Sequence, residues 1–382
     1  MVDLALSEAQ EIIKRTAHDF VEREFPAPLA IEVNESEKGF SPELWRKMAD
    51  LGWVGMILPE AYGGTGSSFV DMAVIFQELG WAALPSPLLS SGVLCGLTIS
   101  EGGTEQQKKR LLPSIAKGQR ILALALTEPD YGWGPETVKL TAKAKNGKFV
   151  LNGTKRYIPD VHIADQCICV ARTSQGADPQ EGITLFLVDK SAQGLSCRDM
   201  SAGAQIGEKL NELAFDSVEV DHSAVIGEVD KGWQVLSPVL EKATPVLCAY
   251  MVGGIQRAWE MAVSYINTRE AFGRTIGSFE RIQDHVIEIV NALDSARWTT
   301  YEALWKIDEQ KPGITKSVTL AKIVSSEGYR KAVDLTSRIH GAAGVDTRFV
   351  LYQYIKKSRS FYHYLGGPMA LRKRMAHLLF ND

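Results

Sequence analysis

The stretch Ile121-Leu122-Ala123-Leu124-Ala125-Leu126-Thr127-Glu128-Pro129 marks the point where the pattern of the chain changes. Before it, apolar residues recur with a helical period, and after it short apolar runs alternate with turns rich in Gly, Asn and Asp. The run 121–127 itself predicts a β-strand, and the residues after Thr127 predict a loop. The nonapeptide therefore predicts a boundary between a helical region and a β-rich region.

The sequence before this boundary is helical. Ser7, followed three positions later by Gln10, predicts the start of the first helix. Further apolar stripes with a helical period follow in 44–51, 70–79 and 106–112. The first stripe consists of Ile12, Ile13, Ala17, Phe20 and Val21. Residues 1–119 are therefore predicted to form an N-terminal α-helical domain.

The sequence after the boundary is rich in short strands up to about residue 230. Asn146-Gly147, between lysine-flanked strands, predicts a tight hairpin turn. Cys167 and Cys169 are two positions apart on one strand, so we expect both to pack into the same face of the core. The predicted strands lie within 121–127, 149–151, 167–171, 184–188 and 212–220. Residues 120–230 are therefore predicted to form a middle β domain, a barrel or a sandwich.

The helical period returns at Gly232 and continues to the end of the chain. Gly253-Gly254 lies inside an apolar helical stretch, which predicts that another backbone or a ligand comes close there. The buried face of a later helix is marked by Ile282, Val286, Ile289, Leu293, Ala296 and Leu304. Residues 231–382 are therefore predicted to form a C-terminal four-helix bundle, and the fold class is α+β.

Composition excludes several classes of protein. The 382 residues are 45% hydrophobic and 23% charged, as in a soluble globular protein, and the net charge is -4. This charge supplies no general field for nucleic acid or an anionic membrane. The five cysteines lack the spacing of a metal site, and their odd number fits a reducing cytoplasm. With no apolar run of transmembrane length predicted, we expect small-molecule or protein partners and no metal, nucleic acid or membrane.

Six motifs occur in an order typical of one flavoprotein family: 58–64 (LPEAYGG), 103–112 (GTEQQKKRLL), 127–129 (TEP), 152–155 (NGTK), 269–273 (REAFG) and 340–344 (HGAAG). Through these motifs the chain resembles the acyl-CoA dehydrogenases over nearly its whole length. The resemblance implies FAD as the cofactor and a fatty or cyclic acyl-CoA thioester as the substrate. It also implies a dimer or tetramer in which two subunits contact each flavin, and an electron-transferring flavoprotein as the electron acceptor.

The resemblance assigns flavin contacts to two groups of residues. Leu126 and Thr127 lie where the family contacts the polar edge of the subunit's own flavin. A second group lies where the family contacts the FAD of a neighbouring subunit, and an arginine there suits a pyrophosphate. This second group consists of Arg269, Phe272, Glu280 and Gly341, with Glu280 in place of the usual glutamine.

The resemblance also shows that the usual catalytic base is missing. The family removes the α-proton of the thioester with a glutamate before the last helix, and Leu365 stands at that position. The base position used by a minority of the family, on the long helix before Arg269, is Ala243. Glu241 is turned by about 200° from Ala243 around that helix, so we expect it to face away from the substrate. The helix predicted at 88–100, expected to line the pocket, carries no carboxylate.

Other departures fall on the side of the subunit's own flavin. A loop that consists of small residues in the family is Asp130-Tyr131-Gly132-Trp133 in this chain. The family's Trp-x-Thr, which packs on the flavin, is Tyr157-Ile158-Pro159, and a family threonine is replaced by Gly367. The residues expected to contact the subunit's own flavin are therefore replaced, whereas Arg269 and Phe272, expected to contact a neighbour's flavin, remain.

Three hypotheses stay open from the sequence. In the first, the chain is the base-lacking partner in a heteromeric acyl-CoA dehydrogenase, whose glutamate belongs to a homologous subunit. In the second, it is an autonomous FAD enzyme, assembled with itself, with an unusual base or chemistry, because Asp160, His363 and Tyr364 lie beside positions near the flavin or substrate. In the third, it is a non-catalytic structural or binding homologue.

Overall fold

A computed structural model describes residues 6–200 and 207–380 of the chain. Its first part is helical, and the start predicted at Ser7 is confirmed, because the Ser7 and Gln10 side chains each accept a hydrogen bond from the other's backbone N–H. A π-helix, Leu88–Cys95, leads directly into the fifth α-helix. The α-helices of this part are α1 (Glu8–Glu24), α2 (Ala27–Glu35), α3 (Pro42–Asp50), α4 (Phe69–Trp81), α5 (Gly96–Gly102) and α6 (Glu105–Ala116).

The middle part is a mainly antiparallel sheet. Its strands are β1 (Leu122–Ala125), β2 (Thr141–Lys145), β3 (Lys148–Pro159), β4 (Gln166–Arg172), β5 (Ile183–Asp189), β6 (Leu195–Asp199), β7 (Leu210–Asp221) and β8 (Val225–Ile226). They follow the order β6-β7-β3-β2-β4-β5-β8, and β1 pairs in parallel with β4. One face of the sheet contributes to the helical core, and the other face covers a second apolar core.

Most of the local predictions for this sheet are confirmed. Asn146 and Gly147 have φ of 50° and 79° and join paired strands at Lys145 and Lys148, as in a type I′ hairpin. Cys167 and Cys169 are both buried in the second core. The strands β6 and β8 are not predicted, and β2 is predicted only as the strand before the turn at Asn146-Gly147. β2 and β6 carry many polar residues, and β8 has only two residues, too few to show a period.

The last part is again helical. It consists of α7 (Gly232–Thr268), the hairpin β9 (Glu270–Ala271) and β10 (Arg274–Thr275), α8 (Glu280–Asp308), α9 (Ile314–His340), α10 (Leu351–His363) and α11 (Pro368–Phe380). The helices α7, α8 and α9 pack on one another, and α7 and α8 also pack on α4, so the two helical parts share one core. The overall architecture is therefore helices, sheet and helices, as predicted.

The helix α7 is long and apolar enough to satisfy the criteria for a membrane span, which differs from the expectation that no such segment exists. Glu241 and Lys242 interrupt the apolar sequence in the first third of α7, so the helix does not read as one continuous apolar run. Within the protein, 67% of the apolar stretch is buried against other elements. Burial of this kind is also found in core helices.

The predicted close approach at Gly253-Gly254 is confirmed. A Cβ atom added to Gly253 would lie 1.8 Å from the backbone oxygen of Gln77 on α4. On the facing helix, a Cβ atom at Gly80 would lie 1.9 Å from the oxygen of Tyr250. A Cβ atom at Gly254 would meet the ring of Tyr329, 2.5 Å away. The backbones of α4 and α7 therefore touch, and glycine is the residue that permits it.

We expect Gly253→Ala to lower the free energy of unfolding by about 3 kcal/mol, because α4 and α7 must move apart to admit the methyl group. Gly328→Ala on α9 is the matched control. There the nearest atom, the oxygen of Ala292, is 3.4 Å from the added Cβ, and the better helix propensity offsets mild crowding. Urea unfolding followed by circular dichroism measures both variants, and equal stabilities for the two would contradict the helix contact.

Candidate functional site

An aromatic cluster lies where the end of β3 faces the segment after α10. The ring of Tyr131 packs edge-on against Tyr157, with 5.2 Å between centroids, and lies 6.1 Å from the ring of His363. Trp133 packs edge-on against Tyr364, with 5.1 Å between centroids. Tyr131 therefore covers part of the Tyr157 ring, whose position in the family packs on the flavin.

Two cavities flank this cluster, and Tyr131 lines both. The first cavity has a volume of about 430 Å³ and lies between the π-helix, α7 and the end of α10. The second cavity has a volume of about 630 Å³ and lies between the Trp133 loop, α7, α9 and α11. Both are large enough for a small molecule.

Asp160 lines the first cavity together with Ser90 of the π-helix. Asp160 follows Pro159 in the left-handed region at φ 61°, a conformation that aspartate tolerates better than most residues. Its Oδ2 lies 2.5 Å from the hydroxyl of Ser90. Burial of the carboxyl, only partly offset by the Ser90 hydrogen bond, raises its pKa to about 7. The π-helix carries no carboxylate of its own, and the carboxyl of Asp160, just after β3, lies beside its Ser90.

Neither expected base position holds an ionisable group, as the sequence indicates. Leu365 is 7% exposed, lines the second cavity and adopts φ 58°. Ala243 is fully buried in the core. Glu241 lies on the face of α7 that lines the second cavity, and its orientation relative to a bound substrate stays a prediction. The residues of α7 that line the second cavity are Trp233, Ser237, Leu240, Glu241 and Thr244, one helical face that includes Glu241 and excludes Ala243.

The two residues expected near the subunit's own flavin are buried and already bonded. The hydroxyl of Thr127 donates to the backbone oxygen of Arg156. The backbone oxygen of Leu126 accepts a hydrogen bond of 2.9 Å from Lys155 Nζ. The same ammonium pairs with Glu128 at 2.7 Å in a fully buried contact. The hydroxyl hydrogen of Thr127 and the backbone oxygen of Leu126 are therefore engaged within the chain.

The four residues expected to serve a neighbour's flavin lie at one exposed corner, which we call the donor corner: Arg269, Phe272, Glu280 and Gly341. Phe272 is 96% exposed. Gly341 has φ 60°, and nothing lies within 4 Å of a Cβ added to it. An open backbone, an exposed ring and an exposed guanidinium fit the adenine and pyrophosphate of FAD.

Contacts between aromatic rings bring the parts of the donor corner together. Tyr265, whose backbone oxygen accepts from Arg269 N at 2.8 Å, stacks on His340 with centroids 4.2 Å apart. His340 directly precedes Gly341, so the ends of α7 and α9 meet. On the other side, Phe272 packs edge-on against Phe279, the residue before Glu280. The donor corner is thus one surface rather than scattered residues.

Sequence reasoning missed Lys322, which is fully buried on the wall of the second cavity. Its ammonium bonds the Ser326 hydroxyl at 2.7 Å and the Phe361 backbone oxygen at 2.8 Å. Burial lowers its pKa to about 8. By bonding the last turn of α10, Lys322 fixes the segment that carries Tyr364 and Leu365. Nothing in the local pattern distinguishes it from other helical lysines.

Metal chemistry finds no support in the part of the chain that the structure describes, which contains no group of three or more His, Cys, Asp or Glu able to hold an ion. The expected absence of a metal site stays a prediction for the protein as a whole. The comparisons with known proteins instead concern flavoproteins.

Three family models match the chain in succession. They are the N-terminal domain of acyl-CoA dehydrogenase over residues 7–119, the middle domain over 123–218 and the C-terminal domain over 230–377. The chain is 31% identical to 3-(aryl)acrylate reductase of Clostridium sporogenes, covering 88% of this chain and 89% of the relative. It is 28% identical to the caffeyl-CoA reductase-Etf complex subunit CarC of Acetobacterium woodii, covering 94% and 95%.

Solved structures agree with this grouping. Butyryl-CoA dehydrogenase of Megasphaera elsdenii superposes with a TM-score of 0.90 at 25% identity, over 99% of this chain and 100% of its own. The FAD complex of PigA superposes with a TM-score of 0.91 at 25% identity, over 99% of each chain. These relationships point to FAD as the cofactor.

Ionisation of Asp160 should cost the protein stability. Its carboxyl holds a proton more tightly in the folded state, with a pKa of about 7 against an ordinary 3.8. Its stabilising contribution is therefore complete below about pH 4 and is lost as pH rises to about 7. In Asp160→Asn this loss should be absent. As pH rises, the unfolding free energy of the variant should therefore increase relative to that of the parent, by up to about 1.4 kcal/mol per pH unit.

Urea unfolding at several pH values between 4.5 and 7.5 measures this difference. Asp50→Asn, at an exposed aspartate, is the matched control and should show a difference from the parent that hardly varies with pH. A pH-independent difference for Asp160→Asn as well would show that its carboxyl titrates normally.

Proposed function

The chain belongs to the acyl-CoA dehydrogenase family, and on that basis we propose that it is the base-lacking subunit of a heteromeric FAD-dependent acyl-CoA dehydrogenase. A homologous subunit carries the catalytic glutamate, and the donor corner of this chain completes that subunit's flavin site. The reaction removes the α-proton and β-hydride of an acyl-CoA thioester. FAD, when bound, supplies the acceptor for the hydride.

The observation that carries the proposal is the asymmetry between the two half-sites. On the own side, Tyr131 lies over Tyr157, and the hydroxyl of Thr127 is bonded to Arg156. On the neighbour's side, Arg269 and Phe272 are exposed. A subunit that only completes its neighbour's flavin site needs the residues on the neighbour's side and can lose those on its own side.

The absence of a base at the two family positions supports the same division of labour. Abstraction of an α-proton needs an acceptor fixed within hydrogen-bond reach of it. Leu365 and Ala243 have no such group, and both are buried in apolar surroundings. In the proposed complex, the glutamate of the homologous subunit performs this step at its own thioester site.

The donor corner has a defined task in this complex. The guanidinium of Arg269 would bind phosphate oxygens, because its planar fork of donors suits a pyrophosphate. Phe272 would cover an aromatic surface of the cofactor, and the open backbone at Gly341 allows close approach. Glu280, at the first position of α8, would accept hydrogen bonds from hydroxyl groups of the cofactor rather than contact its phosphates.

The proposal includes an electron-transferring flavoprotein as the electron acceptor and the cytoplasm as the compartment. A relative at 28% identity is a subunit of a caffeyl-CoA reductase-Etf complex, which supports the first point. The five cysteines are all free, which supports a reducing compartment. The acyl group is a fatty or cyclic acid.

Flavin content tests the proposal. The purified chain alone should be colourless, whereas a mixture with a glutamate-bearing homologue from the same genome should hold about half the flavin of a homomer. In this mixture, Arg269→Ala of this chain should reduce bound FAD at least tenfold, because charge-assisted phosphate contacts contribute a few kcal/mol. Arg23→Ala, at an exposed arginine of α1, is the control and should leave the flavin unchanged.

The absorbance spectrum and its bleaching by acyl-CoA thioesters separate the outcomes. A homomer that is fully flavinated and bleached by acyl-CoA would contradict the proposal. Absence of flavin from both the chain alone and the mixture would favour a non-catalytic structural or binding homologue.

Restoring the glutamate should not restore catalysis. We expect Leu365→Glu in the chain alone to show no measurable acyl-CoA oxidation, because Tyr131 and Trp133 still replace the small residues of the family's loop and Pro159 cannot replace the family's threonine hydroxyl. Leu365→Gln is the matched control, since it has the same size without a carboxylate. Dye-coupled assays at saturating FAD measure both variants, and turnover by Leu365→Glu alone would refute our account of the half-site.

A second candidate is an autonomous enzyme that uses Asp160 as its base. One observation favours it, namely a carboxyl with a pKa of about 7 on the wall of a ligand-sized cavity, which suits proton transfer near neutral pH. Under this alternative the chain alone binds FAD and oxidises an acyl-CoA, and Asp160→Asn abolishes the activity. The flavin measurement described for the chain alone therefore distinguishes the two candidates.

A further inference from the structure

We propose that His162 forms a pH-sensitive joint between the N-terminal helical part and the sheet. The joint is closed while the imidazole is neutral and opens when the imidazole is protonated. The inference goes beyond the proposed subunit role and does not depend on it, because it concerns contacts within this chain alone.

The joint is built from separate elements of the chain. His162, in the turn after β3, lies with its Nε2 2.9 Å from the backbone oxygen of Lys38, between α2 and α3. Its Nδ1 lies 3.2 Å from Nδ2 of Asn211, near the start of β7. The two segments also pack directly, since a Cβ atom added to Gly39 would lie 2.6 Å from Cγ of Lys209. One imidazole therefore bridges the loop before α3 and the beginning of β7.

The surroundings of Asn211 fix which end of its amide faces the imidazole. Asn211 is 2% exposed, and its Nδ2 lies 3.2 Å from the backbone oxygen of Lys209 and 3.4 Å from that of Ile158. Its Oδ1 lies 3.9 Å from the thiol of Cys197, a weak donor. A flipped amide would turn its oxygen toward two carbonyl oxygens. Asn211 therefore presents N–H groups to His162.

These donors require a neutral imidazole. Nδ1 of His162 accepts from Asn211, so the ring hydrogen is on Nε2, which donates to the backbone oxygen of Lys38. A protonated ring would carry a second hydrogen on Nδ1, and this hydrogen would face the N–H groups of Asn211 without an acceptor. Because a partly buried donor without an acceptor is unfavourable, protonation drives the ring out of the joint.

The environment of His162 lowers its pKa. Burial of the ring is the largest effect and lowers the pKa from the ordinary value of 6.5. The hydrogen bond to Lys38 raises it, as does Asp199 at the end of β6, whereas Lys190, in the turn after β5, and Lys209 lower it. The contribution of the joint to stability is therefore complete above the ordinary value and is lost as pH falls through the lowered one.

The joint holds a segment that also lines the first cavity. Glu208 and Leu210, next to Asn211, both line this cavity. Glu208 is tied to α10 separately, through its ion pair with Lys357 at 2.8 Å. Opening of the joint therefore releases the segment from the loop before α3 and leaves it attached to α10. Acidification changes one wall of the cavity without unfolding the sheet.

Hydrogen exchange of the full chain, followed by mass spectrometry, tests the joint. At pH 7.5 and pH 5.0, the exchange rates of the backbone N–H groups in 36–40 and 207–211 are measured and divided by the intrinsic rates at each pH. We expect the protection of both segments to fall about tenfold at pH 5.0, because a proton bound to His162 opens the joint there. The protection of 246–255, within α7, should not change.

Three variants separate the imidazole from the rest of the site. His162→Gln keeps an uncharged acceptor and a donor and does not titrate, so both segments should stay protected at pH 5.0. His162→Ala removes the acceptor and the donor and should show low protection at either pH. His222→Gln, at an exposed histidine after β7, is the matched control and should keep the pH dependence of the parent.

Equal protection of the parent at the two pH values would overturn the proposal, even if His162→Ala fails to fold. An equal loss of protection in His162→Gln would also overturn it, because another group would then titrate. Asp160 cannot imitate the expected result, because its ionisation destabilises the chain as pH rises rather than as pH falls. Flavin binding in the mixed complex is measured separately, so its failure leaves this result unaffected.

Discussion

The buried ion pair between Lys155 and Glu128 is the contact on which the site region depends. Glu128 Oε1 also accepts from the backbone N–H groups of Lys139 and Leu140, at 2.9 Å each. Lys155 binds the oxygen of Leu126 as well, so one pair joins β1, β3 and the loop between β1 and β2. Removal of one partner would leave a buried charge without compensation. The middle part contributes Tyr131, Trp133 and Tyr157 to the aromatic cluster, and all three lie on the elements that this ion pair joins.

Backbone strain concentrates around the same region. Tyr131, Tyr157, Asp160 and Leu365 all have φ between 51° and 61°, a region that costs a non-glycine residue about 1–2 kcal/mol. Tyr157 lies within the irregular register between Lys155 and Ile158 on β3, and Asp160 follows it. The surrounding packing must hold these residues in place, and such strain is typical of sites that position groups for function.

The sequence predicts features that depend on local periods and turns, and fails where a side chain meets a distant element. The helix start at Ser7, the turn at Asn146-Gly147 and the close approach at Gly253 follow from neighbours along the chain. The helical period predicts that Glu241 and Ala243 lie on different faces of α7, but it does not predict which face lines the second cavity. The contact between Ser90 and Asp160 joins residues 70 positions apart. No local pattern encodes such a contact, and the same holds for the role of Lys322.

The touching backbones of α4 and α7 have a consequence for how the chain folds. Gln77 and Gly253 belong to one helical core, yet the whole sheet lies between them in sequence. In topological terms the sheet is an insertion within a helical unit. The entropy of closing this long loop opposes the α4–α7 contact until the inserted sheet has shortened the distance between its own ends. The helical core is therefore expected to form late, after the sheet, although its helices occupy both ends of the chain.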